Sequence, residues 1–535
     1  MIVLGDISGI QNYLFDVAED GGGQAQRLRA RSFFVQILAE TAALRVLRAL
    51  QWPMDPTHFL LSGAGKFLLR GPSSPGFDKC LAGNQQTINE WLLRETRAEL
   101  RLTLAWDDST GSDTDVYYAT QRSLQRAKAR PWAPIQDGSW DASHLVLAPL
   151  DTPCSLCGHA PAQEKESDRD TGQVRCVCRT CAANRRLGQR LPRASWLIIR
   201  ETPDAADFEL FGLGVNVMNV GQVAVGPGTM AVANLDKPEV CPSWCPPHQF
   251  LTRRLMAHVP TDNKGQPIWF TELVREAKGD RLLAVLKADV DSLGVLFHRL
   301  LPSGGLEAMA RFSEQLDAFF AGRLRQELTN DRAGRWKWIY TIFAGGDDLL
   351  MVGPWDIMVD FAGQMREWFR EEFHSHSLTL SAGLALMKLK RPIKGIVTEA
   401  ERLLEEAKTR IVPSESVPKD QCAAFGQVWK WKHHDDILKT ARQLVEWVHY
   451  GDMERGWLHT LLELAEARYG PTPDPLATAR LAYHVDRNYR RNTRARQWAE
   501  SLVQRFDNPE HTDVRYLPAI VRYALTATRM RSQEE

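Results

Sequence analysis

The residues best suited to chemistry are carboxylates that flank a glycine pair. The GGDD motif at 345–348 lies between two apolar runs, so it predicts a β-hairpin whose glycines permit a tight turn and close approach of a ligand. Asp289 and Asp291 end a separate apolar strand and share one face of it, because side chains alternate along a strand. Converging carboxylates need a cation, and their oxygens suit Mg²⁺ bound with phosphates. The pattern predicts a two-metal site that activates a hydroxyl and stabilises a pyrophosphate leaving group.

A lysine further along the chain would complete this site. Lys408 lies on a predicted helix with one face toward the sheet, where its ammonium would meet a triphosphate as a point charge. The simpler alternative for the whole set is an acidic hairpin turn together with solvated aspartates at a strand end.

The framework that must position these residues occurs twice. Residues 60–72 and 342–354 each contain an apolar run, a glycine-rich turn, a second apolar run and a closing Gly-Pro. An acidic motif precedes each turn at a similar distance, and a helical pattern that aligns Lys128 with Lys408 follows each hairpin. The order of these landmarks predicts two copies of one α/β domain.

The first copy lacks most of the carboxylates. Gly65 and Lys66 replace the two aspartates of the GGDD motif, and Ser8 replaces Asp291, so that only Asp6 is left. We expect a nucleotide-binding half without catalytic metals that faces an active half. The alternative is that the first copy has lost nucleotide binding and serves only as a packing partner for the second copy.

A second strong signal comes from two CxxC knuckles. The candidate ligands are Cys154, Cys157, Cys178 and Cys181. Their spacing is typical of a tetrahedral structural Zn²⁺ site, with Cys176 as an alternative ligand. A weaker cluster of Cys and His lies at 241–248.

The remaining pattern divides the chain into domains. We predict α/β domains at 1–133 and 271–425, a β-rich linker with the zinc site at 134–270, and an all-helical domain at 426–535. Lys and Arg total 66, as do Asp and Glu, so net charge indicates no class of partner. No apolar run is long enough to cross a membrane, and Asp6 lies where a signal peptide would be apolar. These features predict a cytoplasmic protein.

Two arginine clusters are candidates for RNA contact. One comprises Arg480, Arg487, Arg490, Arg491, Arg494 and Arg496 with Tyr483 and Tyr489, and the other comprises Arg27, Arg29 and Arg31. Guanidinium groups interleaved with aromatic rings suit phosphate contacts and base stacking, and a solvated helix face is the alternative.

Taken together, these motifs resemble the large, polymerase-like signature subunit of type III CRISPR effector complexes, and the Csm-type branch more than the Cmr-type. The similar segments are GDISGIQNYLF at 5–15, LRARSFF at 28–34, SGAGKF at 62–67, ADVDSLG at 288–294, FAGGDDLLMVGP at 343–354, LSAG at 380–383 and AERLLEEAK at 400–408, with the two cysteine knuckles. The resemblance implies two ferredoxin-like palm domains, one degenerate and one active, with a zinc-bearing linker and a helical C-terminal domain. It also implies conversion of ATP to cyclic oligoadenylates when target RNA binds.

The resemblance further implies roles for individual residues and a set of partners. Asp289, Asp347 and the Val290 carbonyl would hold Mg²⁺ or Mn²⁺, with Asp348 in support. The nucleotide-binding residues would be Gly345, Gly346, Ser381 and Lys408 in the second palm and Ser8, Gly63 and Gly65 in the first. Expected partners are a small helical subunit, RAMP-type subunits, guide RNA and target RNA.

Many members of that family carry an HD nuclease domain before GDISGIQ, whereas this chain starts with that strand. The sequence offers a single His-Asp dipeptide, His434-Asp435, which is better explained as a polar helix start. We therefore expect no single-stranded DNase activity from this chain. Two alternatives for the whole protein are a GGDEF-like cyclic dinucleotide synthase and a non-catalytic scaffold of a CRISPR ribonucleoprotein.

Overall fold

The computed structural model describes most of the chain. The described residues are 1–15, 24–63, 65–130, 132, 151–167, 172, 174–204, 206–219, 226–252, 258–262, 267–389, 393–412, 415–470, 472–488 and 493–529. The triple glycine at 21–23, for which the sequence predicts a loop, lies outside these residues.

The first palm is a four-stranded antiparallel sheet covered by helices. Its elements are β1 (Ile2–Ser8), α1 (Ile10–Phe15), α2 (Gln24–Ala49), β2 (Phe59–Gly63), β3 (Lys66–Arg70), α3 (Phe77–Thr96), β4 (Arg101–Asp107) and α4 (Asp113–Lys128). The strand order β2-β3-β1-β4 is that of a ferredoxin-like fold. Strand β1 is apolar on both faces because helices cover both, and Asp6 is its one charged residue. Helix α4 starts where the Ser112 side chain accepts a hydrogen bond from the Asp115 N–H.

The linker contains a two-stranded ribbon and a five-stranded sheet. Its elements are β5 (Glu164–Ser167), β6 (Val174–Val177), α5 (Arg179–Arg190), β7 (Trp196–Arg200), β8 (Phe208–Leu210), β9 (Leu213–Met218), β10 (Thr229–Asn234), β11 (Phe250–Leu251) and α6 (Phe270–Leu273). The larger sheet has the order β11-β10-β7-β9-β8.

The second palm repeats the first and adds two strands. Its elements are β12 (Leu283–Val290), α7 (Leu293–Asp317), α8 (Leu324–Thr329), β13 (Tyr340–Gly345), β14 (Asp348–Pro354), α9 (Trp355–Phe373), β15 (Leu380–Met387), α10 (Ile393–Thr409), β16 (Gln421–Ala424) and β17 (Gln427–Lys430). The order β13-β14-β12-β15-β16-β17 begins with the same four-strand arrangement as the first palm. Because the hairpin strands and the central strand occupy the same places in both sheets, their residues can be compared position by position.

Helices alone form the described chain after β17. That strand lies within the predicted all-helical domain at 426–535 but pairs with β16 in the sheet of the second palm, so the predicted boundary is too early. The helices are α11 (His434–His449), α12 (Arg455–Tyr469), α13 (Ala477–Asn488), α14 (Arg494–Arg505), α15 (Thr512–Arg515) and α16 (Leu517–Ala527). Their apolar faces continue the core of the second palm, where the Trp355 and Tyr523 rings lie 4.8 Å apart. None of the described helices has the length and apolar character needed to span a membrane. The predicted fold class, two ferredoxin-like palms with a linker and a helical C-terminus, is confirmed.

The two palms pack on each other reciprocally. Helix α2 of the first palm contacts β13 at the edge of the second sheet, and α7 of the second palm contacts β2 at the edge of the first. A shared apolar cluster joins Leu4 and Leu68 of the first sheet to Leu306 and Met309 of α7. The second palm is therefore supported directly by the first.

The arginines of α2 are structural, so their predicted contact with RNA is wrong. Arg27, Arg29 and Arg31 are 3%, 4% and 5% exposed. Arg27 pairs with Glu166 of the linker, and Arg31 donates to the Tyr13 carbonyl at 2.5 Å. Their guanidinium groups are therefore used inside the protein, those of Arg27 and Arg29 against the linker and that of Arg31 against α1.

Arg29 connects three parts of the chain. Its guanidinium on α2 donates to the Gly188 carbonyl in the linker and to the Tyr340 hydroxyl in the second palm, the latter at 2.7 Å. The same guanidinium lies 5.2 Å from the centre of the Tyr340 ring.

We expect Arg29→Ala to lower the free energy of unfolding by about 2–3 kcal/mol, because hydrogen bonds to a buried charged group are lost and two acceptors are left unpaired. Thermal and denaturant unfolding would measure the change. The matched control is Arg48→Ala on the same helix, whose side chain is 50% exposed and 3.5 Å from Glu201. Equal stability of the two variants would contradict the role of Arg29.

Candidate functional site

The GGDD motif forms the tip of the β13–β14 hairpin. Gly345 pairs with Asp348 across the two strands, which leaves Gly346 and Asp347 as the turn. Gly346 has φ +67°, a backbone conformation that favours glycine. The Asp347 carbonyl accepts a hydrogen bond of 2.9 Å from the Val290 N–H, so the tip is fixed to the end of the central strand β12.

Asp289 lies beside this tip. On β12 it is opposite Asp348 of β14 on one side and Ser381 of β15 on the other. Lys408, in the last turn of α10, pairs with its carboxylate. Burial raises the pKa of Asp289 to about 6, against the opposing effect of Lys408, and the charges of Asp347 and Asp348 raise it further. A divalent cation would favour the ionised form of such a group.

Asp348 has a different partner. Its carboxylate lies 2.6 Å from the ammonium of Lys287, a residue of β12 that is 6% exposed. Burial raises the pKa of Asp348, and Lys287 acts in the opposite direction. The sequence motif gave no sign of Lys287 because it lies outside the hairpin and within an apolar strand.

Asp291 and Ser381 belong to the interior. Asp291 is 2% exposed, and its carboxylate accepts hydrogen bonds from the hydroxyls of Ser381 and Thr379 at 2.8 Å and from the Asp420 N–H at 3.0 Å. The predicted convergence of Asp291 on the metal site is therefore wrong. Ser381 is fully buried and its hydroxyl is bonded to Asp291, so a role of its side chain in nucleotide binding has no support in this geometry.

The first palm retains the framework of this site with different charges. Asp6 is opposite Lys66 of β3, the position that Asp348 holds in the second palm. Lys128 of α4 lies 2.7 Å from Asp6, which reproduces the pair of Lys408 and Asp289. The Ile7 N–H donates to the Gly65 carbonyl at 2.8 Å, as Val290 does to Asp347.

The predicted nucleotide-binding residues of the first palm surround this turn. Ser8 donates to Asp6 at 3.3 Å, and Gly65 has φ +78°. A Cβ added to Gly63 would meet no atom within 4 Å, so the surface above it is open. Lys66 is exposed beside it.

The carboxylates of the second palm suit Mg²⁺ or Mn²⁺ that arrives with a nucleotide. Mg²⁺ is usually held by one or two carboxylates and by substrate phosphates, rather than by a closed protein cage. Among the described residues, the aspartates do not form a closed group, since only the four cysteines bring their ligand atoms within 4.8 Å of one another. Asp289, Asp347 and the Val290 carbonyl fit the open type of site.

The four cysteines do form a closed group. Cys154, Cys157, Cys178 and Cys181 lie within 4.8 Å of one another, and the sulfurs of Cys157 and Cys178 are 3.8 Å apart. A tetrahedron with Zn–S bonds of about 2.3 Å has sulfurs about 3.8 Å apart. The N–H of Cys181 also donates to the Cys178 sulfur at 3.4 Å. The donor set fits zinc.

The other thiols lie outside this group. Cys176 contributes its carbonyl to hydrogen bonds from Ser155 rather than joining the four cysteines. Cys241 is exposed, and its sulfur donates to the Cys245 carbonyl at 3.5 Å. Within the described residues, the cluster at 241–248 forms no metal-ligand group.

Two of the six arginines in the C-terminal cluster pair with carboxylates of the helical domain. Arg480 lies 2.8 Å from Asp474, and Arg496 lies 3.1 Å from Asp486 and 2.7 Å from Glu500. Tyr489, Arg490 and Arg491 lie outside the described residues. The local carboxylates reduce the attraction of this surface for phosphate, and RNA contact stays a prediction.

We expect about one zinc per purified chain, lost in the double variant Cys154→Ala/Cys181→Ala because two of four ligands are removed. Elemental analysis would measure the content. Cys176→Ala is the matched control and should keep its zinc; loss of zinc from this control, or retention by the double variant, would contradict the assignment.

Two family models match the chain at its palms. Residues 282–413 match the second palm domain of Cas10/Cmr2. Residues 1–137 match domain B of the Csm1 subunit.

Similar proteins carry the description CRISPR system single-strand-specific deoxyribonuclease Cas10/Csm1 of subtype III-A. The one from Thermococcus onnurineus is 25% identical over 480 residues, which are 82% of this chain and 58% of that protein. The one from Mycobacterium tuberculosis is 25% identical over 571 residues, which are 99% of this chain and 67% of that protein. This chain thus spans 58% to 67% of the length of these relatives.

Solved structures share the fold. The Csm1–Csm4 cassette in complex with cA4 has a TM-score of 0.74 and 19% identity, over 99% of this chain and 70% of that chain. The same cassette in complex with one ATP has a TM-score of 0.72 and 19% identity, over 99% and 70%. With both palms matched by the family models and relatives of that description aligned over most of the chain, the chain belongs to the Cas10/Csm1 family.

Proposed function

We propose that this chain converts ATP to cyclic oligoadenylates as the large subunit of a type III CRISPR effector complex, with the second palm as the catalytic centre. The observation that carries the proposal is the pairing of Asp289 with a two-aspartate hairpin tip in this palm. The equivalent position of the first palm holds Lys66 instead. One palm has a set of metal ligands, and the other offers positive charge for a second nucleotide.

Each residue has a definite task in this proposal. Divalent ions bound by Asp289, Asp347 and the Val290 carbonyl would activate the attacking hydroxyl and stabilise the pyrophosphate leaving group. Gly346 has no side chain at its position in the turn, which allows phosphates to approach the backbone there. Lys408 lies next to Asp289 and can attract the triphosphate.

The first palm supplies the other half of the nucleotide site. Its open surface above Gly63 and the exposed Lys66 provide space and positive charge for a second ATP, with the Lys128 ammonium 2.7 Å from Asp6 in the same palm. The palms pack reciprocally, so both halves are held against each other in one chain. This arrangement would orient one ATP hydroxyl toward the other triphosphate.

The similar structures support this assignment and suggest partners. Csm1–Csm4 cassettes have been solved with ATP, AMPPNP, pppApA, cA3 and cA4. By analogy, this chain would bind a Csm4-like RAMP subunit. We also propose a small helical subunit, guide RNA and target RNA as partners, with target RNA as the activating signal.

The two alternatives fit the geometry less well. A GGDEF-like synthase usually places its two active sites on separate chains, whereas here an altered copy and an intact copy belong to one chain. A scaffold without activity would not need Asp289 beside Asp347 and Asp348 of the hairpin, because grouping partly buried charges costs free energy.

We expect Asp347→Ala/Asp348→Ala to abolish ATP-dependent oligonucleotide synthesis, at least 100-fold below the unsubstituted complex, because metal ligation fails. Synthesis would be measured with labelled ATP and Mg²⁺ or Mn²⁺, with each other NTP in parallel. Asp435→Ala/Asp436→Ala is the matched control, since these adjacent aspartates are exposed on α11. Full synthesis by the first variant would refute the site, and synthesis from GTP alone would favour the GGDEF alternative.

We also predict that His434-Asp435 supports no cleavage of single-stranded DNA, although relatives are named deoxyribonucleases. His434 is 3% exposed, accepts a hydrogen bond from the Trp429 indole at 3.2 Å and contacts the Val359 carbonyl at 3.2 Å. Its ring nitrogens are therefore unavailable to a metal. Metal-dependent cleavage by purified protein that disappears in His434→Ala/Asp435→Ala would contradict this prediction.

A further inference from the structure

We propose that Lys287 is a positioning residue of the GGDD hairpin, an inference that rests on the proposed function of the second palm. Its ammonium lies 2.6 Å from the Asp348 carboxylate, and its side chain is 8% exposed. The ion pair joins the central strand β12 to the first residue of β14, next to Asp347 at the tip.

The position of Lys287 in the sheet offers its ammonium few partners other than Asp348. It is opposite Leu350 on β14 and Gly383 on β15, so neither direct neighbour can share its charge. A Cβ added to Gly383 would lie 2.3 Å from the Ala400 carbonyl, which shows how closely α10 approaches the sheet at this point. Helix α10 therefore covers the lysine, and Asp348 is the carboxylate in hydrogen-bond contact with it.

A second carboxylate lies near the pair. Glu401 follows Ala400 on α10, and it interacts electrostatically with both Lys287 and Asp348. Glu401 Oε1 and Asp348 Oδ1 are buried atoms without a hydrogen-bond partner among the described residues. One lysine thus compensates two partly buried carboxylates, and its removal would leave their negative charges facing each other.

The first palm provides an internal comparison. The register of β1 places Leu4 where β12 has Lys287, and Lys66 where β14 has Asp348. The pair of Asp289 and Lys408, in contrast, is retained there as Asp6 and Lys128. A lysine at position 287 therefore accompanies the aspartates of the active hairpin, whereas the other ion pair occurs in both palms and belongs to the shared framework.

These observations assign separate tasks to the two aspartates of the motif. Asp347 at the tip is left for metal and phosphate. Asp348 is oriented toward the sheet by Lys287 and fixes the start of β14, from which the tip extends. Loss of Lys287 would displace the tip and weaken cation binding without removing any ligand.

The test compares Lys287→Met, Asp348→Asn and the double variant with the unsubstituted chain. Binding of Mn²⁺ in the presence of ATP is followed by electron paramagnetic resonance, and synthesis from ATP is measured in parallel. We expect Lys287→Met to weaken Mn²⁺ binding roughly 10–100-fold, as for other residues that orient metal ligands. The double variant should bind Mn²⁺ no more weakly than Asp348→Asn, because both act through one pair.

The matched control is Lys430→Met. Lys430 is a second buried lysine of the same sheet, 7% exposed, and its ammonium donates to the carbonyls of Val417 and Lys419 at 3.0 and 2.6 Å. This variant should lose thermal stability and keep its Mn²⁺ affinity.

The proposal would be overturned if Lys287→Met had unchanged Mn²⁺ affinity. It would also be overturned if the effects of Lys287→Met and Asp348→Asn on Mn²⁺ affinity added in the double variant. If Lys287→Met does not fold, the comparison of Asp348→Asn with the double variant decides. A double variant that binds Mn²⁺ at least tenfold more weakly than Asp348→Asn overturns the proposal. Equal Mn²⁺ affinities of these two variants support the proposal. If no variant or unsubstituted protein makes oligoadenylates but Mn²⁺ binding responds as expected, the proposed function fails and the role of Lys287 stands.

Discussion

The antiparallel register of the central strand β12 is the constraint on which the site depends. It places Asp289 between Asp348 and Ser381, and Lys287 beside Gly383. A shift by one residue would move each of these side chains to the opposite face of the sheet. Helix α10 can cover the charged face only because Gly383 has no side chain there, and this brings Lys408 to Asp289. The electrostatics of the site therefore follow from strand pairing.

The two palms show how one backbone supports two kinds of surface. Both retain the strand order, the tie between the turn carbonyl and the central strand, and an ion pair of aspartate and lysine. They differ at Lys66 and Asp348, which occupy equivalent places. The two hairpins therefore carry opposite charges, a lysine in the first palm and aspartates in the second, while the fold is unchanged.

Features that are local in sequence could be predicted, and features that require packing could not. The hairpin and the cysteine knuckles were predictable because glycine turns and CxxC spacing act over a few residues. The duplicated order of strands and helices also gave the fold class. Three features depend instead on elements that are far apart in the chain. They are the partner of Lys287, the burial of Asp291 and the interior position of Arg29. A charged residue in the sequence suggests contact with solvent or with a ligand. At these positions the partner of the charged side chain is instead another group of the same protein.

The reciprocal packing of the palms also bears on aggregation. Strands β2 and β13 are the outer strands of their sheets, and each is contacted by the first long helix of the other palm. The Thr341 N–H of β13 is bonded to the His258 carbonyl of the linker at 3.0 Å. Exposed edges of sheets can recruit strands from other molecules, so each palm shields the other from this hazard. A palm excised from its partner would present a bare edge, so the first palm also protects the second from strand addition by other molecules.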